Sequence, residues 1–510
     1  VFPSVLARLG AGVLPDEQAR FRELGWEKLG FMIPMRDGVR LYTEIARPLG
    51  AKEPLPFLLR RTPYNASVDA PGFAVSTTNW LKELVADGYL LVSQDIRGTF
   101  KSEGQFVMLR PLRENSDGVD ESTDTYDTIE WLLQNVPGNN GRVGIYGTSY
   151  LGWTTVMATV RPHPALRAAC EEATAADMFL GDDFHHNGAF RLSYGYEYAV
   201  IMESVPHTLA MEQVKLDHYD AYETYLAIGS LANVKKRWLR TRLPTWDNFV
   251  AHPNYDAFWR RQALAGSLTN VTVPILHVAG WWDQEDFYGP QKAYETMERH
   301  DSAGKNFFVA GPWYHGGWED TGGSLGKIGF GGDTARFYRE QIRARWFAML
   351  LKDRNPTNFP EAITFQTGAN KWESHTSWPP REGVSRRALY FLPGGRLGFS
   401  PPATDSRQAA DKFISDPARP VPYRARPIER TYAEGSKWHE WLVEDQRHVH
   451  NRPDVLSYET EELTEDLVVT GEAFADLFAS TTGTDADWVI KLIDVYPQSV
   501  RVPLVSVCTA

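Results

Sequence analysis

A chain of 510 residues is too long for one compact core, so two or three domains are expected. Its residues are 43% hydrophobic and 13% aromatic, with 17 Trp, which suits large packed cores and argues against disorder. Against 53 Lys and Arg stand 65 Asp and Glu, a net charge of -12 that disfavours nucleic acid as a partner and leans toward cationic ligands, although solubility alone would account for it.

In chain order, "FMIPMRDGVRLYTEIARP" (31–48) reads as two strands joined at Asp37-Gly38, a dipeptide suited to a tight hairpin. "PFLLRRTPYN" is a buried strand running into a loop at Pro63. "STTNWLKELVADGY" then reads as a helix and "YLLVSQD" as a strand. In "DTYDTIEWLLQNV", Ile129, Leu132, Leu133 and Val136 fall on one helical face. "RVGIYG" is a short strand and "YLGWTTVMATVRP" a helix that stops near Pro162. Strands alternating with helices are the sequence form of a doubly wound, mostly parallel sheet.

That alternation breaks after about 175. Residues 184–265 are helical and aromatic-rich with no clear strand, which reads as a cap inserted into one α/β domain. Strands return at "VTVPILHVAG" (271–280) and "KNFFVAG" (305–311), followed by one helix in "TARFYREQIRARWFAMLLKDRN". From about 360, "ITFQTGANKWESHTSWPP", "RALYFLPGGRLGF", "LVVTGEAFADLFAST" and "DWVIKLIDVYP" are short strand-like runs, the pattern of an all-β sandwich. The expected division is 1–180 and 269–358 for the α/β domain, 181–268 for the cap and 359–510 for the sandwich. "VPLVSVCTA" looks like an early stop for a closed sandwich.

Cys170 and Cys508 are the two cysteines, too few for a disulfide framework or a Cys/His zinc site, and no metal is expected. No run of 18 apolar residues suggests a membrane-spanning helix. The opening segment has neither an initiator Met nor the basic start and cleavage site of a signal peptide, so a leader upstream is an open expectation.

One serine stands out. "GIYGTSYLGW" (144–153) places Ser149 between a strand and a helix, where a nucleophile elbow has to sit. Gly147 leaves room for a strained turn, and Gly152 lets the new helix lie close to the sheet. The helix N-terminus aims backbone N–H groups at any anion forming near Ser149. A serine hydroxyl needs an oriented base, and in this architecture the acid and the histidine follow in that order. "PILHVAGWWDQED" delivers Asp283 after one strand; "FFVAGPWYHGG" delivers His315 after the next. The expected triad is Ser149, Asp283 and His315. Glu285 and Asp286 crowd Asp283, and Asp182 and Asp183 sit at the start of the cap. Like charges this close raise one another's pKa unless a cation joins them, although a solvated acidic loop reads equally well.

"GTSYLG", "RTPYN", "QDIRGTFKSEG", "AGWWD" and "GPWYHG" together resemble the family of cocaine esterase, X-Pro dipeptidyl aminopeptidases, glutaryl acylases and α-amino-acid ester hydrolases. The resemblance runs from about residue 25 to 497. It implies an α/β-hydrolase domain, a helical cap insertion and a C-terminal β jelly-roll domain that extends beyond this sequence's end. It implies an oxyanion hole of the Tyr64 hydroxyl and the backbone N–H of Tyr150. It also implies that Glu285, Asp286 and Asp183, with Asp182 as the fallback, hold a substrate's α-ammonium, as in the α-amino-acid ester hydrolases. The implied activity is hydrolysis and acyl transfer on α-amino acid esters, amides and β-lactam antibiotics through an aminoacyl-enzyme, with no cofactor. The alternatives are a related carboxylesterase, glutaryl acylase or X-Pro dipeptidyl peptidase, or a non-catalytic protein binding a carbohydrate or partner. Small-molecule substrates are expected, with no nucleic-acid or membrane partner; a homo-oligomer is left open. The resemblance also implies a periplasmic or secreted location.

Overall fold

Largely alternating burial along "WEKLGFMIP" and a continuous buried run in "RLYTEIARP" set one edge of the central sheet. Strands β1 (Trp26–Pro34) and β2 (Arg40–Pro48) pair antiparallel with Phe31 opposite Thr43. The turn between them holds Gly38 at φ +85°, a value that side-chain-bearing residues rarely adopt. This computed structural model describes residues 19, 21–67, 81–239, 241–354, 358–403, 410–496 and 507–508. Part of the expected helix "STTNWLKELVADGY" lies outside them; the remainder forms α1 (Lys82–Asp87).

The other strands are β3 (Leu55–Thr62), β4 (Leu90–Asp95), β5 (Asn139–Thr148), β6 (Leu166–Glu172), β7 (Ile275–Gly280), β8 (Asn306–Gly311), β9 (Ala362–Gln366) and β10 (Lys371–His375). Their order in one ten-stranded sheet is β1-β2-β4-β3-β5-β6-β7-β8-β9-β10. From β4 through β9 neighbouring strands run parallel. Their residues are buried on both faces, as helical crossovers require. α2 (Glu121–Asn135) is capped by Asp120, which accepts from Thr123 N while the Thr123 hydroxyl accepts from Asp120 N. α3 (Tyr150–Val160) follows β5, α4 (Leu192–Glu203) lies in the segment between β6 and β7, α5 (Tyr288–Glu298) joins β7 to β8, and α6 (Ala344–Lys352) precedes β9.

Between β6 and β7 the chain forms α4, further short helices, and a two-residue pairing of His185–His186 with Ala189–Phe190 where no strand was expected. The single helix expected over 334–352 is interrupted. Thr334–Phe337 and α6 flank a π-helical segment, Tyr338–Arg343. That wider turn brings Tyr338 and Arg343 to one buried carboxylate, Glu172.

The chain divides into two units. One holds the described residues up to Lys215, with Leu231–Leu325 and Gly329–Ser374; the other holds Leu216–Ser230, Gly326–Ile328 and the described residues from His375 onward. This division keeps residues 359–374, the start of the expected sandwich, with the first unit. "ITFQ" pairs with β8, and the two strands read as the start of a sandwich are β9 and β10 of the central sheet. Period-two patterning identifies a strand but not the sheet that takes it.

In the second unit, Ala221–Ile228 is a helix whose cap Asp220 accepts from Arg426 Nε at 2.7 Å. Its described strands are short: Tyr390–Leu392 pairs with Arg396–Gly398, and Leu492–Ile493 with Val507–Cys508. "LVVTGEAFADLFAST" runs without strand pairing, and Val468, Phe478 and Val489 are exposed. Among the described residues, therefore, no closed jelly roll is assembled. No helix among them is long and apolar enough to cross a membrane.

Candidate active site

β5 ends at Thr148 and α3 begins at Tyr150, leaving Ser149 alone in the turn with φ +64° and ψ -126°. This is left-handed backbone that a serine adopts only under tertiary constraint. The constraint is visible. Ser149 N donates to the Glu172 carbonyl at 2.8 Å, and Trp153 N to the Ser149 carbonyl at 2.9 Å. A Cβ at Gly152 would lie 2.7 Å from the Glu172 carbonyl, so only glycine lets α3 approach β6 this closely.

The carboxylate of Glu172 is held beneath the elbow. It accepts from Tyr338 at 2.6 Å, Arg343 at 3.1 Å and the Thr148 hydroxyl at 2.7 Å. The same Thr148 oxygen lies 3.1 Å from Glu319. One hydroxyl proton serves one carboxylate, so the second contact requires a proton on Glu319. Burial, reinforced by Glu172 and opposed by Arg60 and Arg343, raises Glu319 to about 7. Glu319 lies four residues beyond His315, and Thr148 immediately precedes Ser149, so this bridge ties the histidine loop to the elbow. Thr148→Val is expected to lower kcat about tenfold, the value of one lost hydrogen bond of about 1.4 kcal/mol, with KM unchanged. Steady-state kinetics showing unaltered kcat would remove Thr148 from this role.

Asp283 and His315 follow β7 and β8 at the same end of the sheet, and they meet. His315 Nδ1 lies 3.1 and 3.0 Å from the two Asp283 oxygens. Asp283 also accepts from Glu285 N and Asp286 N at 2.8 and 2.9 Å. His315 N donates to the Gln284 side chain at 3.2 Å. The other ring nitrogen, Nε2, faces Glu285 Oε2 at 3.6 Å. Ser149 Oγ makes no hydrogen bond among the described residues, so of the triad's two links the imidazole–carboxylate one is formed and the serine–imidazole one is not.

Tyr64 sits in a loop pinned by Asp95, which accepts from Ala66 N at 2.5 Å, and by Thr62, which accepts from Tyr64 N at 2.9 Å. The Tyr64 ring lies 6.4 Å from the Tyr150 ring, edge-on, at the start of α3. Its hydroxyl is 2.6 Å from that of Tyr198 on α4. Burial, together with the charges of Asp183, Glu285 and Asp286, raises the phenol and keeps it a proton donor, against the opposing Tyr198 hydrogen bond. The Tyr150 ring is buried and its hydroxyl accepts from Leu109 N at 2.9 Å. As the first helical residue, Tyr150 has no partner for its own N–H within α3.

The acids divide by role. Asp182 accepts three backbone N–H bonds, from Ala176, Asp177 and Gly289, at 2.8, 2.9 and 2.7 Å; it is a fastening for the chain. The charge of Asp183 acts on Glu285, Asp286 and His315, whereas that of Asp182 acts on Asp286. Asp183 and Asp286 are 8% and 1% exposed, and Asp183 Oδ1 and both Asp286 oxygens have no hydrogen-bond partner among the described residues. Burial raises Asp183 to about 6 against the pull of His315 and Arg191, and Glu285 to about 7 against the same two cations. Asp286 is pushed well above the carboxylate range by burial and then by Asp183, Asp182, Asp283 and Glu285. Burial would lower His315, but Asp283, Glu285 and Asp183 outweigh it and raise the ring to about 10.

Three more residues contribute; the sequence reads Tyr194 more readily as cap packing than as lining an acyl pocket, and it does not single out Tyr198 or Arg191. Tyr198 faces Tyr64, the Tyr194 hydroxyl donates to Glu285, and Arg191 donates to the Gln284 carbonyl at 2.5 Å while lying over the Tyr194 ring. Tyr194 and Tyr198 are four apart on α4, the spacing of one helix face, which is the signal that links them. No three or more His, Cys, Asp or Glu side chains among the described residues converge in a geometry for a metal ion.

With the geometry in place, relatives can be compared. Residues 37–317 match the X-Pro dipeptidyl-peptidase (S15 family) model. The chain belongs to the S15 family of serine hydrolases. Residues 357–506 match the S15-associated X-Pro dipeptidyl-peptidase C-terminal non-catalytic domain. The cocaine esterase of Rhodococcus sp. (strain MB1 Bresler) is 30% identical over 491 residues, 93% of this chain and 81% of that protein. An aminopeptidase from a marine sediment Thaumarchaeota archaeon superposes with TM-score 0.90 at 40% identity, covering 98% of this chain and 82% of the other. An α-amino acid ester hydrolase superposes with TM-score 0.83 at 38% identity, covering 92% and 77%. The expected α/β-hydrolase fold with a C-terminal domain and the expected enzyme class are therefore those of the S15 family.

Proposed function

We propose that this S15 hydrolase acts on esters and amides whose acyl group carries a free α-ammonium. The observation that carries the reading is the pair of buried carboxylates, Asp183 and Asp286, in which Asp183 Oδ1 and both Asp286 oxygens lack a hydrogen-bond partner among the described residues, beside Glu285 and His315. Burial opposes the charged forms of these acids, His315 and Arg191 are the neighbouring cations acting on Asp183 and Glu285, and a ligand ammonium would favour the charged forms further. Each ammonium–carboxylate contact at about 4 Å is worth roughly 1 kcal/mol in water and about 4 at an effective dielectric of 20. Two or three of them give an amino ester at least a hundredfold preference over its N-acyl analogue. The two structural relatives at 38% and 40% identity, named for α-amino acid esters and as an aminopeptidase, favour the same class of acyl group.

In this reading Ser149 Oγ attacks the carbonyl and His315 Nε2 takes its proton, while Asp283 fixes the Nδ1–H tautomer. Tyr64 Oη and Tyr150 N–H receive the developing oxyanion. The imidazolium then protonates the leaving alcohol or amine. The aminoacyl-enzyme passes to water or to an external amine such as a β-lactam nucleus. Tyr64→Phe is expected to lower kcat about a hundredfold with folding intact, as one lost oxyanion donor does. Wild-type turnover by that variant would take Tyr64 out of the oxyanion hole.

The test is the ratio of kcat/KM for phenylglycine methyl ester and its N-acetyl form. A ratio of about a hundred or more supports the reading; equal values reject it.

A further inference from the structure

We propose that Glu285 competes with Ser149 for Nε2 of His315, and that a substrate ammonium bound among Asp183, Glu285 and Asp286 ends this competition and releases the ring to act as base. The inference rests on the amino-acyl reading above and adds to it: the charge of the substrate governs turnover as well as binding.

The geometry is specific. Asp283 holds the Nδ1 side of the ring at 3.0 Å. On the opposite side, Glu285 Oε2 stands 3.6 Å from Nε2, while Ser149 Oγ has no hydrogen bond to it. The Glu285 carboxylate accepts from the Tyr194 hydroxyl on α4, and its backbone N–H donates to Asp283. The charged groups acting on the ring are Asp283, Glu285 and Asp183; Arg191 acts on Asp183 and Glu285, all three acids act on Asp286, and the Trp318 ring lies 6.4 Å away. Three carboxylates around one imidazole stabilise its protonated form, consistent with the ring standing at about 10. A protonated Nε2 cannot accept the Ser149 proton.

An ammonium entering the cluster places a positive charge against the same Glu285 oxygen. It lowers the imidazole, and the Nε2 proton is lost to solvent. Cation uptake and proton release are thus linked. The sign follows: a neutral ester turns over only as pH climbs toward about 10, whereas a bound ammonium moves that acidic limb down. Each unit of movement gives about tenfold more active base below the limb.

Wild-type enzyme hydrolysing phenylacetic acid methyl ester, which lacks the amino group, provides the test. Saturating ethylammonium chloride at pH 7.5 is expected to raise kcat about tenfold and to move the acidic limb downward; potassium chloride at equal ionic strength should do neither. Glu285→Gln is expected to raise kcat on the same ester about tenfold and to abolish the ethylammonium effect. The proposal is overturned if ethylammonium only inhibits or does nothing, or if potassium acts equally. It is also overturned if folded Glu285→Gln keeps the wild-type limb. The wild-type comparison stands even if that variant does not fold. Should phenylglycine and N-acetylphenylglycine esters differ in KM alone, this inference falls while the amino-acyl reading survives. Equal kcat/KM for those two esters would instead reject the reading itself.

Discussion

Ser149→Ala is expected to lower kcat for phenylglycine methyl ester by a factor on the order of 10⁴–10⁶, the loss seen when an activated serine is removed from a working constellation. The reason is local. Ser149 stands alone between β5 and α3 with its backbone at φ +64°, held by the Glu172 carbonyl on one side and Trp153 on the other. Its side-chain oxygen takes no part in that scaffold, so alanine keeps every backbone hydrogen bond of the turn. Thermal unfolding should therefore stay within about 1 kcal/mol of wild type. Measured together, lost turnover and retained stability separate a nucleophile from a turn residue. Appreciable turnover by Ser149→Ala would place the chemistry elsewhere.

Glu285→Gln combined with Asp286→Asn should reduce the preference for phenylglycine methyl ester over its N-acetyl form by about a hundredfold or more, chiefly through a raised KM for the amino ester. Two of the three acids are neutralised at nearly constant volume. The lost Coulomb energy of two contacts at an effective dielectric of about 20 exceeds the 2.7 kcal/mol that a hundredfold represents. Both Asp286 oxygens are buried without partners, so the carboxylate contributes nothing to the fold that an amide would forfeit. The variant should fold and unfold near the wild-type temperature. Kinetics on the two esters give the answer, and an unchanged ratio would leave these acids without a role in selecting the substrate. The N-acetyl ester carries the same side chain and the same scissile bond, so the ratio isolates the effect of the free ammonium.

The strands and turns that carry these residues were readable because each obeys a local rule. Asp37-Gly38 turns a hairpin, "RVGIYG" ends in an elbow, and Asp283 and His315 each follow an apolar run that forms a parallel strand. β6 was not readable in the same way. "LRAACEE" ends in two glutamates, which look like surface. In the fold both are buried, Glu171 against His277 at 2.7 Å and Glu172 beneath the elbow. Their partners His277, Tyr338 and Arg343 lie more than 100 residues away, so no short window of sequence contains the reason. β9 and β10 show the complementary difficulty, because their strand pattern was plain while their sheet was not.

At the site, the acids were visible as a crowd, but their division was not. Asp182 and Asp183 are adjacent letters of one type. Only the three N–H donors converging on Asp182 show that it fastens the chain and leaves Asp183 to the cluster. The approach of Glu285 to His315 is likewise a property of the folded loop, since a carboxylate two residues after the triad acid can point either way. The aromatic partners on α4 were hidden by abundance: Tyr194 and Tyr198 look like cap packing until their hydroxyls are seen to meet Glu285 and Tyr64.

The most direct measurement is to stop the enzyme with acid during turnover and map the covalent adduct by peptide mass. Phenylglycine methyl ester should leave a phenylglycyl group on the peptide containing Ser149, and the N-acetyl ester at equal concentration should leave little or none. An adduct on any other residue, or equal labelling by both esters, would contradict a serine nucleophile served by an ammonium-selective cluster.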